Sequence, residues 1–337
     1  MKQRIGIVGG SGYIGYSLSR HLSTRYKIKC LDIIKPRELL NGDLEFMHCD
    51  IRNPEEVKRG LKDVDLVIHS AIVQIPLINE EKRLGYEVNI LGTQNICEAV
   101  FGNAKIKGMI LAGSWHTMGE KELSGIIDEE FGFRPDKIEN RARLYALSKI
   151  VQEVIVRFYD EMSDRIYGVI RLGTVLGEGM PQKTAANIFI ERGLKGESIT
   201  PYKHSMYRLM LYVDISDVCR SFENYASMIL NNKMKKSENS LANIVNVFYP
   251  EPITIIELAE TVRDEIVKIT NSRINPKIEI LDLGMPQMFT EEDKKQLKVN
   301  VDKMKRLLGI EQLKSPEQSI KELIRLKVIK QHNIESE

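Results

Sequence analysis

Tyr145 and Lys149, in the stretch Tyr145-Ala146-Leu147-Ser148-Lys149, lie at i and i+4 of a helical run and so share one helix face. An ammonium beside a phenol favours the phenolate and lowers its pKa from about 10, which makes the pair a candidate general acid and base. Spacing alone equally fits a surface tyrosine packed along a lysine stem. The strand-like run Gly108 to Gly113 before this helix ends in Ser114-Trp115-His116-Thr117-Met118-Gly119. Ligands of open parallel sheets bind beyond the carboxyl ends of the strands, so Ser114 would face the same crevice. There its hydroxyl could bridge tyrosine and substrate, or simply cap a turn.

A second chemical feature stands near the start. GGSGYIG, Gly9 to Gly15, follows the apolar run Ile5-Gly6-Ile7-Val8. Glycines so dense after a strand permit a tight turn with uncovered backbone N–H groups. Tyr13, Ile14, Leu18 and Leu22 then recur at helical spacing, so the turn opens a helix whose N-terminal dipole favours an anion. The glycines read as G-x-G-x-x-G (Gly10, Gly12, Gly15) or as G-x-x-G-x-x-G (Gly9, Gly12, Gly15), both patterns of dinucleotide-binding turns. A second strand, with Ile28, Cys30, Leu31 and Ile33, places Asp32 about 20 residues further on, where a ribose-binding acid belongs. Its carboxylate accepts from a 2′-hydroxyl and repels a 2′-phosphate, which favours NAD over NADP. Capping the following turn is the alternative role for Asp32. Lys35 and Arg37 lie just beyond and keep NADP open.

These residues need a scaffold, and the pattern supplies one. Strand-like and helical runs alternate: Leu44 to His48 then Pro54 to Leu61, Asp65 to Ala71 then Tyr86 to Val100, Gly108 to Gly113 then Arg141 to Asp160, and a sixth strand at Tyr167 to Leu172. This rhythm predicts an α/β fold, a doubly wound parallel sheet with helices on both faces. Residues 1–175 are expected to form the NAD-binding domain and 176–337 mainly a smaller substrate lobe, with later segments such as Asn243 to Phe248 returning to the sheet. Thr254 to Ile269 reads as a helix, and Asn231 to Ser240 (NNKMKKSENS) as an exposed polar connection.

At 337 residues the chain can bury a large core, and its net charge of +2, without a basic stripe, gives no electrostatic case for nucleic acid. Cys30, Cys49, Cys97 and Cys219 are scattered with no C-x-x-C pair, which suits reduced core thiols better than disulfides or a metal site. The opening MKQRIGIVGG enters a strand directly, and no run approaches the ~18 apolar residues of a membrane span. The expectation is a cytoplasmic protein without membrane or metal.

Taken in order, these segments resemble the extended short-chain dehydrogenase/reductase family, the NAD-dependent epimerase/dehydratase group acting largely on nucleotide sugars. The resemblance extends over nearly the whole chain. It rests on GGSGYIG, Asp32, Cys49-Asp50-Ile51-Arg52, Val67-Ile68-His69-Ser70-Ala71, the stretch Val88 to Asn95, then Ser114, Tyr145, Lys149, Ile170 to Gly177, and Val301 to Gly309. It implies that Tyr145 exchanges a proton with a substrate hydroxyl or carbonyl, that Lys149 lowers the tyrosine pKa and holds the nicotinamide ribose, and that Ser114 orients the substrate oxygen. It implies cofactor contacts from Gly9, Gly12, Tyr13, Ile14, Gly15, Asp32, Asp50, Ile51, Ser70, Ala71, Asn89 and Lys149. Substrate contacts fall to His116, Thr174 and Arg208, and a homodimer formed by the helices Tyr86 to Val100 and Ala142 to Asp160 is part of the same inheritance.

The sequence departs from that pattern at four places. Trp115 and His116 stand where the family's dehydratases carry an acid pair, which argues against dehydration. His116 also replaces the small or hydroxyl residue common in 4-epimerases and resembles the sugar-acid dehydrogenases. Aligning Ile215 to Val218 with the family's V-D-D-like segment puts Met210 at the place of the phosphate-binding arginine, with Arg208 two residues early but on the same face of a strand. Arg208 could then hold a diphosphate or a sugar carboxylate; the surrounding PYKHSMYR, with His204 and Tyr207, looks like a polar lid. Finally, Gly119 to Tyr145 is long and charged, with Glu139, Arg141 and Arg143, as suits a lid or an oligomer contact. The expected activity is NAD-dependent nucleotide-sugar epimerisation through transient oxidation of a sugar hydroxyl. The alternative is an NAD-dependent sugar or uronic-acid dehydrogenase, and a non-catalytic dinucleotide-binding scaffold is the third possibility.

Overall fold

The computed structural model describes residues 2–36 and 44–335; Arg37, one of the two cations expected near a 2′-phosphate, lies outside the described residues. Seven strands form the central sheet: β1 (Arg4–Val8), β2 (Lys27–Asp32), β3 (Leu44–His48), β4 (Leu66–His69), β5 (Gly108–Ser114), β6 (Ile166–Leu172) and β7 (Ile244–Val247). All pairings are parallel, in the order β7-β6-β5-β4-β1-β2-β3. The order reverses between β1 and β4, and ligands of such sheets bind in the crevice opened there.

Strand periodicity explains why both faces are covered. In β5, Ile110 and Ala112 belong to one apolar cluster, while Met109 and Leu111 belong to another on the opposite face. Successive side chains thus feed two cores, which is why β4 to β7 read as continuous apolar runs. The seventh strand comes from Asn243 to Phe248, as the sequence suggests for a segment crossing back.

Several boundaries follow from caps. The helix Pro54–Leu61 begins with proline after Asn53, whose side chain accepts from the Glu55 N–H. Thr254 and Glu257 form a reciprocal capping box at the start of Ile255–Ile269. The expected helix Tyr86 to Val100 is instead three pieces: Lys82–Tyr86, a π-helical turn Glu87–Leu91, and Gly92–Phe101. Asn89 sits in that turn, fully buried, its amide bonded to both backbone groups of Val73 and to Ser148 Oγ; such bulges occur where a side chain must be redirected.

Past residue 176, helices Ala185–Leu194 and Ile255–Ile269 pack together, and the final helix Pro316–Glu335 lies against the latter. The long charged stretch after Gly119 is tied down by a short strand, Gly125–Ile127, paired with Leu297–Val299. All four cysteines are free and buried. Among the described residues no helix is long and apolar enough to cross a membrane.

Candidate active site

The glycine turn is shaped by contacts that leave no room for side chains on one side and open space on the other. Gly9 has φ +78°, and a Cβ there would stand 2.4 Å from the Ala71 nitrogen; a Cβ on Gly15 would stand 2.0 Å from the Gly9 oxygen. Gly12, by contrast, meets only the Gly9 oxygen at 3.5 Å. It caps the helix Tyr13–Leu22 without a side-chain bond, so the first N–H groups of that helix remain available to an anion. Ser70 Oγ donates to the carbonyls of Val8 and Gly9 at 2.9 and 3.3 Å, fastening the turn to the end of β4.

Asp32 ends β2 beside this turn. Its Oδ2 accepts from the Ser11 N–H at 3.0 Å and its Oδ1 from the Ile34 N–H at 3.2 Å, which aims the carboxylate across the glycines. The cradle and the acid fit a dinucleotide with a free 2′-hydroxyl. Other expected cofactor residues differ in how they contribute. Tyr13 turns its ring toward Gly177 and Gly179, leaving its place at the first helical turn as its link to the cradle. Ile14 is half-buried beside it. Asp50 is gripped by Arg52, whose Nη2 lies 2.6 Å from Oδ2 and whose hydrogen bonds hold the carboxyl below the usual range. Ile51 is buried against Gly92, and Ala71 packs against Gly9.

Ser114 is the last residue of β5, so the sheet itself delivers its hydroxyl to the crevice. Its Oγ accepts from the His116 N–H at 3.2 Å and lies 3.2 Å from His116 Nδ1. Tyr145, in the first turn of the helix Arg143–Met162, meets the His116 ring edge-on at 5.7 Å between centroids. One turn later, Lys149 is buried and its Nζ donates to the Ala112 carbonyl at 2.8 Å. The sequence suggests that this ammonium lowers the phenol pKa. The structure corrects that for the resting site: burial pushes Tyr145 up, with the Ser114 hydroxyl pulling the other way. Burial likewise pushes Lys149 down to about 7, since desolvation disfavours its charged form. His69, behind it on β4, is pushed down to about 3 by burial and then by Lys149.

The substrate-facing candidates share an ion-pair network. Arg208 Nη1 donates to Glu139 Oε1 at 2.7 Å, Arg141 Nε to Glu139 Oε2 at 2.9 Å, and Arg141 Nη2 to Glu120 Oε1 at 3.3 Å. Arg208 is therefore a held, mostly buried residue whose Nε has no hydrogen-bond partner among the described residues. Thr174 Oγ1 accepts from Trp115 Nε1 at 3.2 Å, so that hydroxyl anchors a buried indole. In PYKHSMYR, Lys203 pairs with Asp282 at the surface and His204 stacks on Tyr202. Sequence reasoning missed Glu120: a spacing of four from His116 signals contact in a helix, and here the two meet through a 3₁₀ turn, Trp115–Met118, and a glycine with φ +88°. It also missed the buried set His69, Thr93 and Gln152, joined at 2.9 Å on Thr93 Oγ1.

The sequence model of the NAD dependent epimerase/dehydratase family matches residues 5–237. A Methanocaldococcus jannaschii protein named "Putative UDP-glucose 4-epimerase" is 29% identical over 57% of this chain and 63% of its own length. The UDP-N-acetylglucosamine 4,6-dehydratase (inverting) of Campylobacter jejuni is 23% identical over 66% of this chain and 64% of its own. The match thus spans less than two thirds of either relative. Among solved structures, the UDP-glucose 4-epimerase of Thermus thermophilus complexed with NAD has TM-score 0.71 at 21% identity, covering 96% of this chain and 98% of that one. The UDP-glucuronic acid 4-epimerase of Bacillus cereus has TM-score 0.74 at 20% identity, covering 96% and 99%. These two likenesses show the extended short-chain dehydrogenase/reductase fold. With most of its length matched by the family's sequence model and the dinucleotide cradle in place, the chain belongs to the NAD dependent epimerase/dehydratase family.

Proposed function

We propose that the chain is a nucleotide-sugar epimerase in which Tyr145 and Ser114 handle the proton of a ring hydroxyl. The observation carrying this reading is the convergence of Ser114, from the end of the central strand β5, with Tyr145 and Lys149 on one helix face beside the glycine cradle. NAD, when bound, would supply the hydride-accepting and hydride-donating chemistry at the carbinol carbon. Tyr145 Oη takes and gives back the hydroxyl proton, Ser114 holds the oxygen, and Lys149 holds the cofactor ribose. Gly9, Gly12, Gly15 and the backbone of Tyr13 and Ile14 take the pyrophosphate, and Asp32 takes the ribose. Asp50, Ile51, Ser70 and Ala71 would complete the cofactor wall, while Asn89, fully buried with its amide committed to Val73 and Ser148, would brace that wall from behind and not touch the cofactor.

Epimerisation is preferred to dehydration because Trp115 is buried and donates to Thr174, which leaves no acid at that place. Arg208 and His116 would face the sugar or its phosphates. A second reading, oxidation of a sugar acid, is favoured by the unpartnered Nε of Arg208, since a guanidinium edge suits a carboxylate. Residues 1–175 serve the cofactor and 176–337 mainly the substrate. Two copies would pair through the exposed apolar row Leu147, Val154, Phe158 and Met162 on one helix with Tyr86 and Leu91 on the neighbouring one. The four free, buried thiols support a reducing compartment such as the cytoplasm.

The test is incubation with NAD and separate UDP-, dTDP- and GDP-hexoses or free uronic acids, resolving products by chromatography while following NADH absorbance. An isomerised nucleotide sugar without NADH accumulation supports the epimerase. NADH rising with an oxidised sugar would replace it by the second reading.

A further inference from the structure

Segment 276–283 runs parallel to 199–203, and only one of its two edges is used. The Lys277 C=O accepts from the Ile199 N–H at 2.8 Å and the Glu279 N–H donates to the Ile199 C=O at 2.9 Å. Leu281 donates to the Pro201 C=O and accepts from the Lys203 N–H, both at 2.9 Å. Odd residues therefore turn their backbone groups inward and even residues outward. Among the described residues the N–H and C=O of Ile278 and Ile280 meet no hydrogen-bond partner. The free edge is bounded by Pro276, which has no N–H, and by Gly284 at φ +68°.

A lone edge is ordinarily guarded by charge, and this one is largely apolar. Ile280, Leu283 and Met285 are 49%, 57% and 50% exposed, and Tyr202 stands beside Leu281. Asp282 is held by Lys203. The remaining charges, Lys277 and Glu279, project from one face on either side of Ile278, and neither has an ion-pair partner among the described residues.

That charge order is complementary to itself. Two copies related by a two-fold axis pair antiparallel, and outward-facing residues must oppose one another, so the axis can pass at Ile278, Glu279 or Ile280. At Glu279 it would set two glutamates face to face. At Ile280 it would set Glu279 against Leu281 and Ile278 against Asp282. At Ile278 it sets Lys277 of each copy against Glu279 of the other, while Ile278 meets Ile278 and exchanges both hydrogen bonds. The Ile280 N–H of each copy then reaches the Pro276 C=O of the other.

We propose that segment 277–283 is a self-association edge, which pairs antiparallel with the same segment of a second copy about an axis at Ile278. The occupant is a second copy because the reciprocal Lys277 and Glu279 contacts close only on this sequence. The edge shares no residue with the apolar helix row around Phe158, so the inference stands whether or not those helices pair. A contact this short falls in the weak class, below about 1,200 Å². Dilute protein shows what the helix row does alone, and the strand pairing fills as concentration rises.

Sedimentation velocity on the full chain over a roughly hundredfold concentration range tests this. The native protein should gain a species of twice its dilute mass. K277E and E279K should each move the midpoint of that transition up at least about tenfold, since like charges then face each other twice. The two variants mixed in equal amounts should recover the native midpoint, because each supplies the charge the other lost, and K277E/E279K should recover it alone. I280P removes an outward N–H and no inward bond, and should also weaken pairing. Thermal melting confirms that each variant is folded. A native protein without the heavier species, or a native midpoint in K277E, overturns the proposal. Loss in I280P without recovery in the mixture would mark an edge that pairs with some other strand, and overturns the second copy as its occupant.

Discussion

Lys149 Nζ donates to the Ala112 carbonyl across 2.8 Å, and so joins the helix that carries Tyr145 to the strand that carries Ser114 two residues later. One buried ammonium fixes the distance between the two halves of the proposed proton-handling pair. It does so at an electrostatic cost, because burial pushes its pKa down to about 7.

That cost has a signed pH dependence. A lysine titrating near 7 when folded and near 10.5 when unfolded leaves the unfolded chain with more protons between those values, so stability rises with pH through that window. Below pH 7 the penalty is complete. Lys149→Met should therefore gain stability relative to the native protein at neutral pH, and the gap should close by up to about 1.4 kcal/mol per pH unit toward pH 10. Denaturant melts of both proteins across that range measure it.

The two glycines of the cradle should fail differently. Gly12 faces open space, so Gly12→Val is expected to fold with a nearly native melting temperature while NAD affinity falls at least about tenfold. Gly15→Ala would push a methyl into the Gly9 carbonyl and should lower the melting temperature itself. Calorimetric NAD titration beside thermal melting separates the cases.

Arg208 is tied to Glu139, so its removal should affect binding more than chemistry. Arg208→Ala is expected to raise the substrate KM about tenfold or more, with kcat changed by no more than about twofold. Steady-state kinetics with the substrate found in the product screen give the split. A fall in kcat with KM unchanged would place Arg208 in the reacting step instead.

The apolar row on the helix Arg143–Met162 predicts self-association. Phe158→Asp, at a side chain 65% exposed, should convert a dimer to a monomer in light scattering while sparing the fold.

Much of this architecture is legible in the sequence because parallel strands buried on both faces leave unbroken apolar runs, and because glycine is demanded where the backbone of one loop touches another. β5 and the turn Gly9 to Gly15 are the clearest cases; Ser114 follows from its place at the end of β5, and Tyr145 and Lys149 from their i,i+4 spacing on one helix. The π turn around Asn89 is not legible, since its cause is a tertiary contact with Val73 and Ser148. The partners of His116 and Arg208 are hidden for the same reason: Glu120 and Glu139 arrive through irregular turns with no period to read. Spacing misjudges the phenol pKa because i,i+4 placement shows proximity to Lys149 and nothing of burial.

The central claim is that Tyr145 handles the substrate proton within a hydride-transfer site. Its most direct test is a single-turnover comparison of the native protein and Tyr145→Phe with saturating NAD and the nucleotide sugar that the screen identifies. The account predicts that the variant binds NAD as the native protein does and interconverts the sugar more slowly by about 10² to 10⁴. A Tyr145→Phe protein that reacts at the native rate would contradict it.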